Sequence, residues 1–137
     1  MLNKRNLTME KIIVLYGASH TGKTSTIVDV YDTINPSKTS PTRKQVGINP
    51  LDFEDIINYN GHTIAFLSAG DNRDTVGKAV DKFDSAKCDI MITAYNSGIA
   101  FLRAAFLSKS KLIIKVEKFA ANNADNLRAK NEILSSI

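Results

Sequence analysis

Lys11-Ile-Ile-Val-Leu-Tyr-Gly-Ala-Ser-His-Thr-Gly-Lys-Thr24 decides the fold class. Ile12–Leu15 is an unbroken apolar run, the pattern of a strand buried on both faces. Beyond Thr24, the residues Ile27, Val30, Tyr31 and Ile34 recur at helical spacing. A strand and a helix therefore flank Gly17-x-x-x-x-Gly22-Lys23-Thr24, the setting that a phosphate-binding loop requires. Gly17 and Gly22 allow backbone conformations and close approaches that a side chain would forbid. Consecutive N–H groups can then turn inward as a nest for anionic oxygens, and the free N–H groups of the following helix add to it. In such a loop Lys23 would bring a full charge to the β- and γ-phosphates, and the Thr24 hydroxyl would ligate Mg2+. The hydroxyls of Ser19, Thr21 and Ser25 lie near enough in sequence to add donors. His20 reads first as an exposed, inert loop residue and second as a donor to a γ-phosphate oxygen.

Outward from this unit, strands and helices alternate. Asn35-Pro36 ends the first helix, because the residue before proline disfavours the helical region. Residues 35–50 hold Pro36, Pro41 and Pro50 among serines, threonines and the cations Lys38, Arg43 and Lys44, which reads as a long loop. It is either a solvated connection or a lid in which Thr39, Ser40, Thr42, Arg43 or Lys44 faces the γ-phosphate. Asn60-Gly61 is the favoured two-residue hairpin turn and sets Tyr59 opposite His62 and Ile57 opposite Ile64. Its strands cover about 51–59 and 62–68. The first carries Leu51, Phe53, Ile57 and Tyr59 on one side and suits an edge with one wet face; the second is nearly all apolar. A helix over 73–85 has Val76, Ala79, Val80 and Phe83 as its stripe. A strand over 88–95 follows, then a helix over 97–108 with Ile99, Leu102, Ala105 and Phe106 facing inward. The last strand covers 111–119, and a final helix starts at Asn122 or Asn123 and carries Leu127, Ile133, Leu134 and Ile137. Such alternation implies an α/β sheet covered on both faces, with ligands at the carboxyl ends of its strands.

The segment Gly17–Thr24 resembles the Walker A motif of the P-loop NTPase superfamily. The resemblance implies a three-layer α/β/α fold around a mostly parallel five-stranded sheet. Numbered along the chain, the predicted strands take the order 2-3-1-4-5, with an antiparallel edge strand. It also implies an acid of the Mg2+ shell at the end of the second hairpin strand. Here that place is Ser68-Ala69-Gly70-Asp71, and the first acid comes three residues late. Asp71 either reaches the metal through water, with Gly70 as a hinge, or caps the next helix, which is the preferred reading. Asp52, Glu54 and Asp55 are fallback acids. Of the Asp-x-x-Gly element of GTPase-like members only Ala69-Gly70 remains, with Leu67 where the aspartate belongs. Those members carry Asn-Lys-x-Asp after a late strand, and Asn122-Asn123-Ala124-Asp125 lacks the lysine. Asn122 as a helix cap, with Asp125 three residues on, explains that segment better. Without a guanine reader, ATP is preferred over GTP. Arg73 is a candidate for stabilising a transferring phosphoryl group. Arg73, Arg103 and Arg128 are candidate arginine fingers, in cis or from a protein partner or second subunit.

Composition bounds the rest. The 137 residues suit a single nucleotide-binding domain over 10–137 behind a flexible tail over 1–9. A single cysteine, Cys88, allows no internal disulfide, and no apolar run spans a bilayer, so a reducing, cytoplasmic setting is expected. The net charge of +4 is too mild to mark a nucleic-acid binder. Lys109, Lys111, Lys115 and Lys118 form a basic tract that reads as an exposed sheet edge, without interleaved aromatics to stack bases. The candidate catalytic residues are Lys23, Asp71 and Arg73, with Thr24 and Asp71 on the metal. The expected activity is Mg-dependent binding and slow hydrolysis of ATP, in a switch that responds to the γ-phosphate. A non-catalytic nucleotide-binding module is the alternative. A small-molecule or nucleotide kinase ranks third, because an acceptor site and lid need more chain.

Overall fold

The computed structural model describes residues 9–37 and 40–137. The apolar run around Ile12–Leu15 becomes β1 (Met9–Gly17), the strand on which the rest is hung. It lies parallel to β5 (Ile90–Asn96) on one side and to β6 (Ser110–Glu117) on the other. Next to β5 runs β4 (His62–Leu67), again parallel, and β4 pairs antiparallel with β3 (Phe53–Tyr59). A two-residue strand, β2 (Lys44–Gln45), closes that side. The fold is α/β with a mixed, mostly parallel six-stranded sheet in the order β2-β3-β4-β5-β1-β6.

Two expectations are corrected. Lys44-Gln45, inside the segment read as pure loop, adds a sixth strand, so β3 is not the edge. The strand that follows the second helix enters between the hairpin and β1, so the five predicted strands stand as 2-3-4-1-5 and not 2-3-1-4-5. The physical reason lies in burial. Ile90–Tyr95 is buried on every residue, as a strand flanked on both edges and covered on both faces must be.

Helices cover both faces. Ile13 and Leu15 face α1 (Lys23–Ile34) and α4 (Asn123–Ser136) in one core with Ile27, Val30, Tyr31, Ala129 and Ile133. Ile12 and Val14 face the other way, toward α2 (Arg73–Ser85) and α3 (Arg103–Leu107), in a second core with Val76, Val80, Phe83 and Phe106. Each fully buried isoleucine or leucine of this kind stabilises the fold by about 1.5–3 kcal/mol.

Locally encoded elements match their expected bounds best. The hairpin pairs Tyr59 with His62 and Ile57 with Ile64, and Asn60 and Gly61 take positive φ of 50° and 78°. The helix expected over 73–85 spans those residues, with its whole apolar stripe buried. Other bounds shift. Met9, assigned to the tail, opens β1 and is buried; residues 1–8 lie outside the described residues. The helix expected over 97–108 shrinks to Arg103–Leu107, because Asn96 Oδ1 accepts the Gly98 N–H (2.8 Å) and turns the chain first. Leu127, one of the apolar residues that the last helix carries, is exposed. β6 forms the far edge with Lys111, Lys115 and Glu117 exposed, whereas Lys118 leaves the strand and is buried. Cys88 is buried, and burial with the nearby Asp89 charge pushes its thiol up to about 11. Among the described residues no helix is long and apolar enough to cross a membrane.

Candidate functional site

The carboxyl ends of β1, β4 and β5 share one rim of the sheet with the chain leaving β6. Because β3 runs opposite to β4, its amino end reaches the same rim. A cleft of about 420 Å3 opens there. Ser19, His20 and Gly22–Ser25 form one wall, Asn49, Leu51 and Asp52 a second, and Ser68, Gly70, Asp71 and Ala94 the floor and far side.

The glycine-bounded loop is held by close backbone contact and two lysines. His20 and Gly22 are left-handed, with φ of 62° and 82°. A Cβ at Gly17 would run into the Lys118 carbonyl oxygen, and one at Gly22 would sit 2.9 Å from Asn126 Oδ1. Thr21 Oγ1 and Lys23 Nζ both donate to the Ala18 carbonyl, at 2.7 and 2.6 Å. From beneath, Lys118 Nζ donates to the Thr21 carbonyl at 2.7 Å. Since C=O and N–H of a planar trans peptide point in opposite directions, this bond turns the Gly22 N–H away from Lys118. Lys23 itself is buried. Burial lowers its pKa, the Asp71 charge opposes that, and the Lys118 charge reinforces it.

Opposite the loop, the Thr24 hydroxyl donates to Asp52 Oδ1 at 3.3 Å, and Ser68 Oγ reaches the same oxygen at 3.5 Å. Ser68 is buried and accepts the Phe53 N–H at 2.8 Å. Burial raises the Asp52 pKa. The Thr24 bond lowers it, the Asp71 charge raises it, and the Ser68 bond lowers it. Asp71 is exposed, and its Oδ1 accepts from Asn96 Nδ2 at 3.3 Å; the same Nδ2 lies 2.6 Å from Ser19 Oγ.

Several expectations change here. Asp71 is not the cap of α2. Asn72 is, with its side chain accepting from Asp74 N (2.8 Å) and Thr75 N (3.3 Å), since its extended backbone is the one that precedes the helix. Gly70 packs closely on the neighbouring strand: a Cβ there would overlap the Ala94 carbonyl, and the Asn96 N–H donates to Gly70 O at 2.9 Å. Of the fallback acids only Asp52 reaches the cleft. Glu54 pairs with Lys82. Asp55 is buried beside α1, accepting from Tyr31 Oη (2.7 Å), Ser40 Oγ (3.3 Å) and Thr42 Oγ1.

The same contacts draw the long segment away from the cleft. Ser40 and Thr42 are tied to Asp55, Arg43 lies 4.8 and 4.1 Å over the rings of Tyr31 and Phe53, and Lys44 is in β2. Lys38 and Thr39 lie outside the described residues. What reaches the cleft is the turn before β3, at Asn49 and Leu51.

The arginines also stand elsewhere. Arg73 lines a separate groove between α2 and α3, and Arg103 is exposed at the start of α3. Arg128 bonds Asp125 Oδ1 at 2.9 Å, the Glu117 carbonyl and Glu132. Asn122 caps α4 by accepting the Asp125 N–H at 2.8 Å, as preferred from the sequence. The Asp125 carboxylate is saturated by the N–H groups of Phe119 (2.8 Å) and Ala120 (3.1 Å), by Lys118 (3.1 Å) and by Arg128. Burial alone would raise its pKa, but these donors together hold it well below the usual carboxylate range.

Sequence reading missed Asn96 and Lys118. A polar residue closing a mostly apolar strand was the available signal for Asn96. Comparison with protein-family models, curated proteins and solved structures yields no significant match.

Proposed function

We propose that the cleft binds a nucleoside triphosphate with Mg2+, ATP before GTP, and that the chain hydrolyses it slowly. One observation carries this reading: the amino end of α1 is left open to a ligand. Gly22 offers no side-chain cap, and the first turn has no acid. In contrast, α2 and α4 are each capped by an asparagine and carry an aspartate in the first turn. The unsatisfied N–H groups and positive dipole end of α1 therefore face the cleft beside Lys23, a combination that suits phosphate. A cleft of about 420 Å3 is also of small-ligand size.

The donor set suits Mg2+, which prefers hard oxygens from one or two carboxylates together with substrate phosphates. The Thr24 hydroxyl lines the cleft with two acids, Asp52 and Asp71, and one of them is enough to complete such a donor set. When bound, the metal would neutralise charge on the phosphate oxygens. The chain's own residues hold the rest in position. Lys23 supplies a buried cation, and Asn96 ties the loop at Ser19 to Asp71. Among the described residues no arginine lines the cleft, in keeping with slow turnover. The saturated Asp125 has little left for a guanine edge, which favours adenine. A passive nucleotide-binding module is the second reading, favoured by Ser68, a buried serine where the resemblance calls for an acid.

A melting panel with ATP, GTP and ADP, with and without Mg2+, tests the proposal. Ligand at a hundredfold excess over its Kd should add about 2.7 kcal/mol of stability, and Lys23→Ala should abolish the shift. No shift at millimolar nucleotide would sink it. Phosphate release from the best binder then separates hydrolysis from passive binding.

A further inference from the structure

We propose that Asp52, delivered by the amino end of the antiparallel strand β3, is the carboxylate that completes the divalent-cation site with Thr24, and that Asp71 is not. This rests on the nucleotide-binding reading above. In a sheet whose ligand rim is formed by strand carboxyl ends, β3 is the exception. It runs against β4, so the residue just before it emerges beside the residue just after β4. Those two residues are Asp52 and Ser68. The acid expected at the end of β4 is replaced by a serine whose hydroxyl reaches the acid supplied from the neighbouring strand, at 3.5 Å.

Hydrogen bonding distinguishes the two carboxylates, which share the cleft. Thr24 Oγ1 lies 3.3 Å from Asp52 Oδ1, so a cation held by that hydroxyl has the Asp52 oxygens beside it. Asp71 bonds Asn96, which in turn bonds Ser19, and among the described residues it makes no hydrogen bond to Thr24. Asp52 also lacks a counter-charge: among the described residues it forms no ion pair, and its partners there are hydroxyls. Glu54 and Asp55 are engaged elsewhere, by Lys82 and by Tyr31, Ser40 and Thr42. A half-buried carboxylate with only hydroxyl side-chain partners, bonded to the Thr24 hydroxyl of the loop, is the group here that a cation would complement. The turn before β3 holds it in place, with Asp52 N donating to Asn49 O at 3.0 Å and Val46 N to Asp52 O at 2.9 Å.

The test measures how far Mg2+ strengthens nucleotide binding. Calorimetric titration of ADP and of a non-hydrolysable ATP analogue, in EDTA and in Mg2+, gives that factor for each variant. Asp52→Asn keeps the size and both hydroxyl contacts, so its melting midpoint without ligand should match the parent. It should bind as well as the parent in EDTA but lose the Mg2+ enhancement, by at least about tenfold. Asp71→Asn should retain the enhancement, and Asp52→Glu should recover part of it. Direct Mn2+ binding to the nucleotide complex, read by electron paramagnetic resonance, should fall in Asp52→Asn alone. An enhancement that survives Asp52→Asn, or one lost in Asp71→Asn, would overturn the assignment. If the parent binds no nucleotide in either buffer, the function proposal fails and takes this assignment with it.

Discussion

Lys118 carries an ammonium with no exposed side-chain surface, a setting that lysine tolerates only when fully paired. Its partners are the Thr21 carbonyl, the Ala120 carbonyl and Asp125. Lys118→Met would keep the stem but bare two carbonyls and weaken the hold on Asp125. The expected loss is about 3–5 kcal/mol in urea unfolding, and a loss below about 1 would show that the clamp contributes little. Asp125 gives the same cluster a pH dependence. Its folded pKa is depressed, so its contribution is fully present above the unfolded aspartate value of about 3.9 and is lost as pH falls through and below it. One such group steepens the acid limb by at most about 1.4 kcal/mol per pH unit, and Asp125→Asn should flatten it. Neither role was legible in the sequence. A lysine at the end of an edge strand with Lys111 and Lys115 reads as solvated, and only the descent of the chain beneath the Gly17–Thr24 loop buries it.

At the scale of elements, two adjacent polar residues divide the roles that residue type alone assigned to Asp71. Asn72 caps α2, whereas Asp71 faces Asn96 across the rim. Asn72→Ala should therefore cost about 1 kcal/mol in chemical unfolding, while Asp71→Ala should cost almost nothing. Equal losses would return the cap to Asp71. The contrast shows which signals are local. Asn60-Gly61 carries its own φ preference, and the stripe Val76, Ala79, Val80, Phe83 carries its own period, so the hairpin and α2 were readable. Residues 97–102 look helical by spacing, yet one bond from Gly98 to the Asn96 side chain redirects them. Asp71 and Asn72 are both good caps by type, and only backbone dihedrals choose between them.

Strand order belongs to the whole molecule, and it is what sequence patterning left undecided. β4 and β5 are both apolar, and nothing in either says which lies against β1. With β5 in that position, Asn96 ends beside Ser19 and Gly70 packs on Ala94, so the rim is assembled from widely separated stretches of chain. The loop itself was legible, because strand, glycines, lysine and helix are contiguous; Asp52 was legible only as one of three fallback acids, and Asn96 and Lys118 not at all, because the topology gathers them. This layout makes a regional prediction for amide exchange with Mg2+ and a non-hydrolysable triphosphate. Loops open locally at low free energy, so their exchange reports contacts at the site more than global stability. Exchange should slow over 18–24, 46–52, 68–72 and 96–98, which form the rim. The turns at 60–61 and 86–89 lie at the opposite ends of the strands and should not respond. Residues 40–45 should not respond either, since Ser40, Thr42 and Arg43 are already committed to Asp55, Tyr31 and Phe53. Slowing over 40–45 would restore the lid expected from the prolines and cations of that segment. Slowing confined to 46–52 would instead mark the turn carrying Asn49, Leu51 and Asp52 as the only part of the long connection that senses the ligand.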